Sequence, residues 1–301
     1  MQAANVSTLT REITIEILAA FGLPRSEWSQ KIFGPIFRKP AVKFSRIMAG
    51  FDQNLEKYGL AAASRKLLAY FVEKATTFGV DNVPKEGPLL VASNHPGTFD
   101  GFAILADFPR DDVKAFAGGM PFLMNMPVAS QYLIFSHSDA TSVRANALRR
   151  SIRHLEGGGT LLIFPSGQID PDPAVLPGAR EALERWSKSI ALMLRKVPET
   201  KLLTTITSGM LAKRSTKTPL TILRKGGVSK RRIMEFIQVM RQILLGEELG
   251  LKAHVTFAPP LTVEELGNLH EADKVMRIII DRAKQLLAQH MAFISVESSE
   301  E

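Results

Sequence analysis

The sequence predicts an α/β fold, in which a mostly parallel sheet is flanked by helices and preceded by a helical subdomain. From Gly79 onward, apolar strand-like runs alternate with segments of helical periodicity, a pattern typical of parallel sheets. Before Gly79, the apolar residues show helical spacing only. The chain has 301 residues, of which 45% are hydrophobic and 23% charged, enough for one large domain with an appendage. We therefore predict a helical subdomain over residues 1–78 and an α/β domain over residues 79–301.

Three helical stretches are predicted in the N-terminal subdomain. The first spans residues 10–21, and two apolar stripes at helical spacing follow over residues 44–58 and 67–78. The stripes consist of Phe44, Ile47, Met48, Phe51, Leu55 and Tyr58, and of Leu67, Leu68, Phe71, Val72, Ala75 and Phe78. Pro24, Gly34-Pro35 and Pro40 are predicted to mark turns. Such helices either pack against the α/β domain or lie in a membrane interface with the apolar side down.

Six strands are predicted in the α/β domain, over residues 89–93, 113–117, 132–135, 160–164, 202–207 and 252–257. The predicted helices span residues 99–108, 142–156, 181–196, 232–245 and 271–291. In the helix predicted over residues 181–196, the apolar face consists of Leu183, Trp186, Ile190 and Met193. The acidic end, residues 296–301, is predicted to be a frayed tail.

Charge is unevenly distributed in this basic chain, whose formal net charge is +8. Residues 213–232 contain eight basic residues and no acidic one: Lys213, Arg214, Lys217, Arg224, Lys225, Lys230, Arg231 and Arg232. Such a patch favours an anionic partner, such as an anionic membrane surface, phosphate groups or an acidic protein; a solvated basic loop is the alternative. No RNA-binding signature, zinc finger or aromatic-rich basic stripe is visible, which argues against nucleic acid.

The absence of cysteine restricts the chemistry of the chain. It excludes disulfides, thiolate catalysis and cysteine-ligated metals, and it is compatible with a reducing compartment. The six histidines are scattered and no His-Glu-x-x-His motif occurs, so no metal site is predicted.

A histidine and an aspartate lie five positions apart in the segment from Asn94 to Asp100, between an apolar strand-like run and an apolar helical run. On one continuous helix, side chains five apart point about 140° away from each other. His95 and Asp100 therefore meet only if the chain bends between them, and Pro96-Gly97 permits that bend. We predict a strand, a tight turn carrying His95, and a helix whose first turn carries Asp100.

This geometry has a chemical meaning, because an imidazole held by a carboxylate can take a proton from an alcohol near neutral pH. His95 is the candidate general base and Asp100 its partner, while Asn94 is a candidate site residue expected to fix the turn. Backbone N–H groups from Gly97 to Gly101, or at Gly167, are candidates to hold an oxyanion. The alternative is a helix-capping threonine or aspartate beside an unrelated surface histidine.

The segment from Asn94 to Asp100 resembles the first block, NHxxxxD, of the glycerolipid acyltransferases, which include glycerol-3-phosphate and 1-acylglycerol-3-phosphate acyltransferases. A second run, from Gly157 to Gly167, resembles the strand of that family that ends in Phe-Pro-Glu-Gly. The resemblance covers roughly residues 80 to 210, including a helix over residues 142–156 and Pro177-Gly178-Ala179. It implies that Ser166, Gly167 and Gln168 are substrate-binding residues.

The chain departs from the family pattern at the groups that usually bind the acceptor phosphate. Ser166 replaces the glutamate, and Gln168-Ile169-Asp170 replaces Thr-Arg-Ser. The second block, residues 133–138, contains no arginine, and the fourth is matched only loosely by residues 202–207. An acceptor without a phosphate is therefore one expectation. Four helix arginines are candidates to compensate, or are simply solvated: Arg144, Arg149, Arg150 and Arg153.

Residues 115–138 form a segment of 24 residues without Lys, Arg, Asp or Glu, interrupted by glycine and proline. The interruptions exclude a spanning helix. Met120 and Met124 are candidates to line an acyl-chain pocket, since methionine adapts to irregular apolar ligands. A buried crossover is the alternative.

The resemblance implies an acyltransferase that moves a fatty acyl group from a thioester, on acyl-CoA or acyl carrier protein, to a hydroxyl of a glycerolipid or related lipid. No bound cofactor is expected, since the thioester is a co-substrate. A lipid-binding relative without turnover and a lipid or ester hydrolase using Ser166 or Ser208 are the alternatives. No stretch reaches the about 18 apolar residues of a membrane span, and no secretory leader is visible. We expect a protein of the cytoplasm, peripheral at the cytoplasmic face of the membrane.

Overall fold

Seven strands form one sheet in the computed structural model, which describes residues 4–24, 26–136, 141–217 and 226–300. The strands are β1 (Lys74–Phe78), β2 (Leu89–Ser93), β3 (Val113–Gly118), β4 (Leu133–Ser136), β5 (Thr160–Ile163), β6 (Lys201–Ser208) and β7 (Lys252–Phe257). Their order across the sheet is β1-β7-β6-β2-β5-β3-β4. Neighbouring strands are parallel except β6 and β7, which are antiparallel. The mostly parallel sheet predicted from the sequence is therefore confirmed.

Helices cover both faces of this sheet. They are α1 (Val6–Ala20), α2 (Glu27–Leu68), α3 (Asp100–Ala106), α4 (Pro121–Met124), α5 (Thr141–Glu156), α6 (Ala179–Ala182), α7 (Ser189–Lys196), α8 (Gly227–Leu245), α9 (Val263–Leu266) and α10 (Ala272–Glu300). Within the described part of the chain, no helix has both the length and the apolar character needed to cross a membrane.

The central strand β2 shows why the sheet needs a layer on each face. All of its residues are buried, and successive side chains of a strand point to opposite faces. Leu89 and Val91 pack with residues of α1, α2, α3 and α8. Leu90 and Ala92 pack with residues of α5, α7 and α10. The carboxyl end of β2 therefore lies between two helical layers, in the middle of the sheet.

The strand predictions are confirmed within one or two residues at each end, but one strand was missed. Residues 67–78 were predicted as a helical stripe, whereas α2 ends at Leu68 and residues 74–78 form β1. Strand β1 pairs in parallel with β7, from the other end of the chain. Pairing with a distant strand is invisible to local periodicity, so it overrode the helical pattern. The domain boundary between residues 78 and 79 stays a proposal, in which β1 belongs to the N-terminal subdomain.

The predicted turns at Gly34-Pro35 and Pro40 are wrong, because α2 continues through both prolines. Proline removes one backbone hydrogen bond and weakens a helix, but this helix is packed against α1 and α8 on the same face of the sheet. The break lies instead at Gly59, which has φ +78°. A positive φ is readily adopted only by glycine.

Two further helix predictions need correction. The helix predicted over residues 181–196 is divided into α6, a 3₁₀ turn at Leu183–Arg185 and α7, because Trp186 is extended. Its apolar face is buried as predicted. The C-terminal residues do not form a frayed tail: α10 runs to Glu300, and the carboxylate of Glu297 bonds Lys74, Thr76 and His254.

Arg110 joins the amino ends of three neighbouring strands. Its side chain is buried, and its guanidinium donates to the carbonyls of Gly87 (2.8 Å), which precedes β2, and Gly158 (2.9 Å), which precedes β5. It also bonds the carboxylate of Asp112, directly before β3 (Nε–Oδ1 2.9 Å). One rigid cation thus satisfies acceptors on three neighbouring loops.

We expect Arg110→Met to lower the free energy of unfolding by about 3 kcal/mol or more, because it leaves buried acceptors without a donor. Chemical denaturation measures this change. Lys188→Met is the control, since Lys188 pairs with Asp273 at the surface and such pairs contribute less than about 1 kcal/mol. Equal, small effects of the two substitutions would contradict the role assigned to Arg110.

Candidate active site

Asn94 ties the carboxyl end of β2 to the neighbouring strand β6. Its amide group donates to the carbonyl of Thr207 (2.9 Å), and its amide oxygen accepts from the N–H of Thr207 (2.8 Å). The side chain is buried. These two bonds engage both the nitrogen and the oxygen of the amide, so Asn94 fixes the point at which the chain leaves the sheet.

The imidazole of His95 and the carboxylate of Asp100 meet across the turn that follows. His95 Nδ1 lies 2.7 Å from Asp100 Oδ2. The same carboxylate accepts the backbone N–H groups of Gly97 (3.2 Å) and Gly101 (2.6 Å). Asp100 begins α3, whereas His95 lies in the turn before it. The predicted strand, turn and helix, and the predicted contact, are therefore present.

Phe164 and Asp170, which come after β5, hold His95 from the other side. The ring of Phe164 stacks on the imidazole, with centroids 4.4 Å apart. The backbone N–H of His95 donates to Asp170 Oδ2 (3.1 Å), and its carbonyl accepts from the N–H of Asp170 (2.7 Å). The imidazole remains reachable, since the His95 side chain is 28% exposed while that of Asp100 is 2% exposed.

The predicted substrate-binding loop, residues 166–168, lies beside this turn. The hydroxyl of Ser166 donates to the carbonyl of Gln168 (2.9 Å) and to Asp170 Oδ2 (3.0 Å). The N–H of Gly167 donates to the carbonyl of Phe164 (3.0 Å), and Gly167 has φ +65°. The N–H groups of Gly97, Gly101 and Gly167 thus all have acceptors within the protein.

Several groups at the site were not found from the sequence. Asp170 also pairs with Arg185 (Nη2–Oδ1 3.2 Å). Arg231, on α8, donates from Nε to the carbonyl of Ile169 (2.8 Å). Glu235, one turn further along α8, accepts a hydrogen bond from the hydroxyl of Thr98 (2.8 Å).

The missed groups lack a local signal. Asp170 lies in a loop, and α8 comes from a distant part of the chain. The only available hint was a polar series at helical spacing in α8, which is normally a solvated face. It consists of Glu235, Gln238 and Gln242.

Negative charge is concentrated around the imidazole. Burial lowers the pKa of His95, but the charge and hydrogen bond of Asp100 and the charges of Glu235 and Asp170 outweigh it, raising this pKa to about 9. Burial raises the pKa of Glu235 to about 8, against the opposing effects of Thr98 and His95. Burial also raises the pKa of Asp170, although hydrogen bonds from His95 and Ser166 oppose it.

The predicted basic patch is not one solvated loop. Lys213, Lys217, Lys230 and Arg232 are exposed, but Arg214 pairs with Glu247 (2.8 Å) and Arg231 reaches the site. Arg224 and Lys225 lie outside the described residues, as does the end of the second family block, residues 137 and 138. The four arginines considered as substitutes are exposed on α5.

Met120 and Met124 are exposed, at the start and end of the short helix α4. The neighbouring Phe122 and Leu123 pack against the core instead. Their contribution to an acyl pocket stays a prediction.

Ser208, the second serine considered for a hydrolase, bonds His290 rather than the site histidine. Its Oγ lies 2.8 Å from His290 Nε2, and Thr256 Oγ1 lies 2.7 Å from Nδ1. Both Ser208 and His290 are fully buried, and burial lowers the pKa of His290 to about 3. This pair is core structure that a substrate does not reach. Among the described residues, no group of three or more His, Asp or Glu is placed to hold a metal ion.

In comparison with known families, residues 74–198 match the model of the Acyltransferase family. This segment of the chain is an acyltransferase domain, and the protein is an acyl-transferring enzyme. The structure is also similar to the crystal structure of the 1-acyl-sn-glycerophosphate (LPA) acyltransferase PlsC from Thermotoga maritima. That similarity has 16% sequence identity and a TM-score of 0.44, over 94% of this chain and 97% of the other. No curated protein sequence matches the chain significantly.

We expect the imidazole of His95 to titrate at about pH 9, and the substitution Asp100→Asn to lower its pKa by about one pH unit or more, because the ion pair is lost. Nuclear magnetic resonance of the ring signals measures both values. Signals of the other histidines should not change, and they serve as internal controls. A wild-type titration near pH 6.5 that Asp100→Asn leaves unchanged would contradict the pairing.

Proposed function

We propose that the chain transfers a fatty acyl group from an acyl thioester, carried by coenzyme A or acyl carrier protein, to a hydroxyl of a glycerolipid or related lipid. The observation that carries the proposal is the contact between His95 Nδ1 and Asp100 Oδ2 at 2.7 Å. Asp100 holds the proton on Nδ1, which leaves the lone pair of Nε2 available. A base in this position suits attack by an alcohol.

The mechanism needs no covalent enzyme intermediate. His95 Nε2 takes the proton of the acceptor hydroxyl as its oxygen attacks the thioester carbonyl. The resulting imidazolium is stabilised by Asp100, and the tetrahedral intermediate collapses with loss of the thiol. His95 returns its proton to the sulfur, so that the free enzyme, an ester and a thiol are formed. The turn before α3 is the place where backbone N–H groups would meet the oxyanion.

The backbone N–H groups proposed to bind the oxyanion differ from those expected from the sequence. The N–H groups of Gly97 and Gly101 serve the carboxylate of Asp100, so their use for substrate would weaken the catalytic pair. The N–H groups of Thr98 and Phe99, between these two glycines, are better placed for the oxyanion. Thr98 is exposed, which is compatible with approach of a substrate.

The arginines near residues 166–170 support an anionic substrate group. Arg185 and Arg231 both reach this loop, and each is a fixed cation able to bind a phosphate in two places. Neither arginine belongs to the family block that ends here in Gln168-Ile169-Asp170, from which the usual arginine is missing. A phosphate on the acceptor or on coenzyme A would fit them. Transfer from a labelled acyl thioester to a panel of phosphorylated and unphosphorylated lysolipids tests whether the phosphate belongs to the acceptor.

We expect His95→Ala to reduce kcat/KM for acyl transfer by about 10²- to 10⁴-fold, the usual contribution of a general base. Ser166→Ala should cost less than about tenfold, since it removes only hydrogen bonds to Gln168 and Asp170. Mass spectrometry of the lipid product measures both rates, and His270→Ala, an exposed histidine, is the control.

The reverse order of effects would favour the hydrolase, in which Ser166 is essential and water replaces the lipid hydroxyl. Undiminished transfer by His95→Ala would refute the assignment of the base. Lipid binding without wild-type turnover on any acceptor would favour a binding protein of the same fold.

The first half of α2 supports a peripheral position on an anionic membrane, and we propose that this is the cytoplasmic face. Trp28, Ile32 and Ile36 are four residues apart and 61%, 49% and 68% exposed, so they form one apolar stripe on α2. Beside them is a concavity of about 340 Å³ with three basic residues in its lining, which consists of Arg11, Thr14, Gln30, Lys31, Gly34, Pro35 and Arg38. An apolar stripe next to basic side chains suits a lipid interface.

We expect the double substitution Ile32→Ser with Ile36→Ser to reduce binding to anionic phospholipid vesicles by roughly tenfold or more, through loss of buried apolar area. Co-sedimentation measures the bound fraction. Ile278→Ser with Phe293→Ser is the matched control, because both are exposed on α10 across the sheet from α2. Equal vesicle binding by the two double variants would contradict a contact between α2 and the membrane.

A further inference from the structure

Glu235 is a buried carboxyl group with only one of its oxygens satisfied. The residue is 4% exposed. Oε2 accepts the hydroxyl of Thr98, in the turn between His95 and Asp100. Oε1 has no hydrogen-bond partner among the described residues. A carboxyl group is expensive to bury and is rarely left half satisfied unless it has a role.

The position of Glu235 is fixed by its own helix. One turn further along α8, Gln238 accepts the N–H of Ala212 (2.7 Å) and donates to the carbonyl of Met210 (2.8 Å). These bonds lock α8 to the segment after β6, on the central sheet. A Cβ atom added at Gly97 would lie 2.9 Å from Met210 and 3.9 Å from the Glu235 carboxyl carbon, so the catalytic turn, this segment and α8 are in close contact.

The charged groups around His95 and Glu235 come from several elements. The turn supplies His95 and Asp100, the loop after β5 supplies Asp170 and Asp172, and α8 supplies Arg231. The carboxylate of Asp172 accepts four backbone N–H groups, those of Ala174, Gly209, Met210 and Leu211. Asp170 pairs with Arg185. Glu235 has no basic partner at hydrogen-bond distance in the described structure, and when ionised it raises the pKa of both His95 and Arg231.

We propose that Glu235 is a positioning residue for the catalytic turn, which holds the His95–Asp100 segment through Thr98 and places a second carboxylate beside the imidazolium formed during acyl transfer. This inference rests on the proposed role of His95 as the base. It assigns a function to α8, which lies outside the segment matched by the family.

The protonation order follows from burial and charge. The pKa values of Glu235 and His95 are raised to about 8 and about 9, so with rising pH the carboxyl group ionises before the imidazole becomes neutral. Once ionised, Glu235 retains the proton on His95. Removal of its charge should therefore lower the pKa of His95 and make the base available at lower pH.

The test is Glu235→Gln, which keeps an oxygen acceptor for Thr98 and removes the charge. We expect the acid limb of the pH profile of kcat/KM to move to lower pH by about one unit, and the ring titration of His95 to move by the same amount. Glu247→Gln is the matched control, because Glu247 pairs with Arg241 and Arg214 away from the turn, and it should leave both curves unchanged.

Substitutions of Thr98 test its hydrogen bond to Glu235 separately from the charge of Glu235. Thr98→Val should reduce kcat, because the turn loses its bond to Glu235, while Thr98→Ser should restore it. If Glu235→Gln folds but leaves the His95 titration in place, or if Thr98→Val and Thr98→Ser behave alike, the inference is overturned. Should Glu235→Gln fail to fold, the Thr98 pair alone decides. Failure of the proposed function is distinct, since it would appear as normal transfer by His95→Ala.

Discussion

The contact between the His95 ring and the Asp100 carboxylate is the constraint on which the rest of the site depends. Two residues five positions apart reach each other only across a bend, and here the carboxylate itself stabilises the bend by accepting the N–H groups of Gly97 and Gly101. The group that orients the base therefore also shapes the turn that carries it. Asn94 adds the second anchor, because it binds the preceding strand to β6.

Acidic groups dominate the surroundings of this contact, and each is stabilised differently. Asp172 has four backbone N–H donors, whereas Asp170 has an arginine, a hydroxyl and the N–H of His95. Among the described residues, Glu235 has a single donor, the hydroxyl of Thr98. The charges of Asp100, Glu235 and Asp170 raise the pKa of the imidazole, which favours proton removal from an alcohol but keeps a larger fraction protonated at neutral pH. A higher pKa thus makes the neutral imidazole more basic but leaves less of it neutral at neutral pH.

The helical layer that contains α1, α2 and α8 connects two surfaces with different chemistry. It carries the exposed stripe of Trp28, Ile32 and Ile36, and it also presents Glu235 to the turn between His95 and Asp100. Phe236, next to Glu235, contacts Phe21 after α1 edge to face, with centroids 5.1 Å apart. The helix with the exposed apolar stripe and the helix that carries Glu235 therefore belong to one packed layer on one face of the sheet.

The sequence by itself determined the alternation of strands and helices, the turn at residues 94–100 and the pairing of His95 with Asp100, because each depends on periodicity or on near neighbours in the chain. It missed β1, whose partner is 178 residues away at Lys74 and Lys252, and it placed turns at prolines that α2 accommodates. Only the tertiary structure brought Asp170, Arg231 and Glu235 to the turn and loop around His95. The polar face of α8 looks solvated in the sequence, yet burial against the turn after β2 gives it buried partners, and burial is a property of the fold rather than of any local pattern.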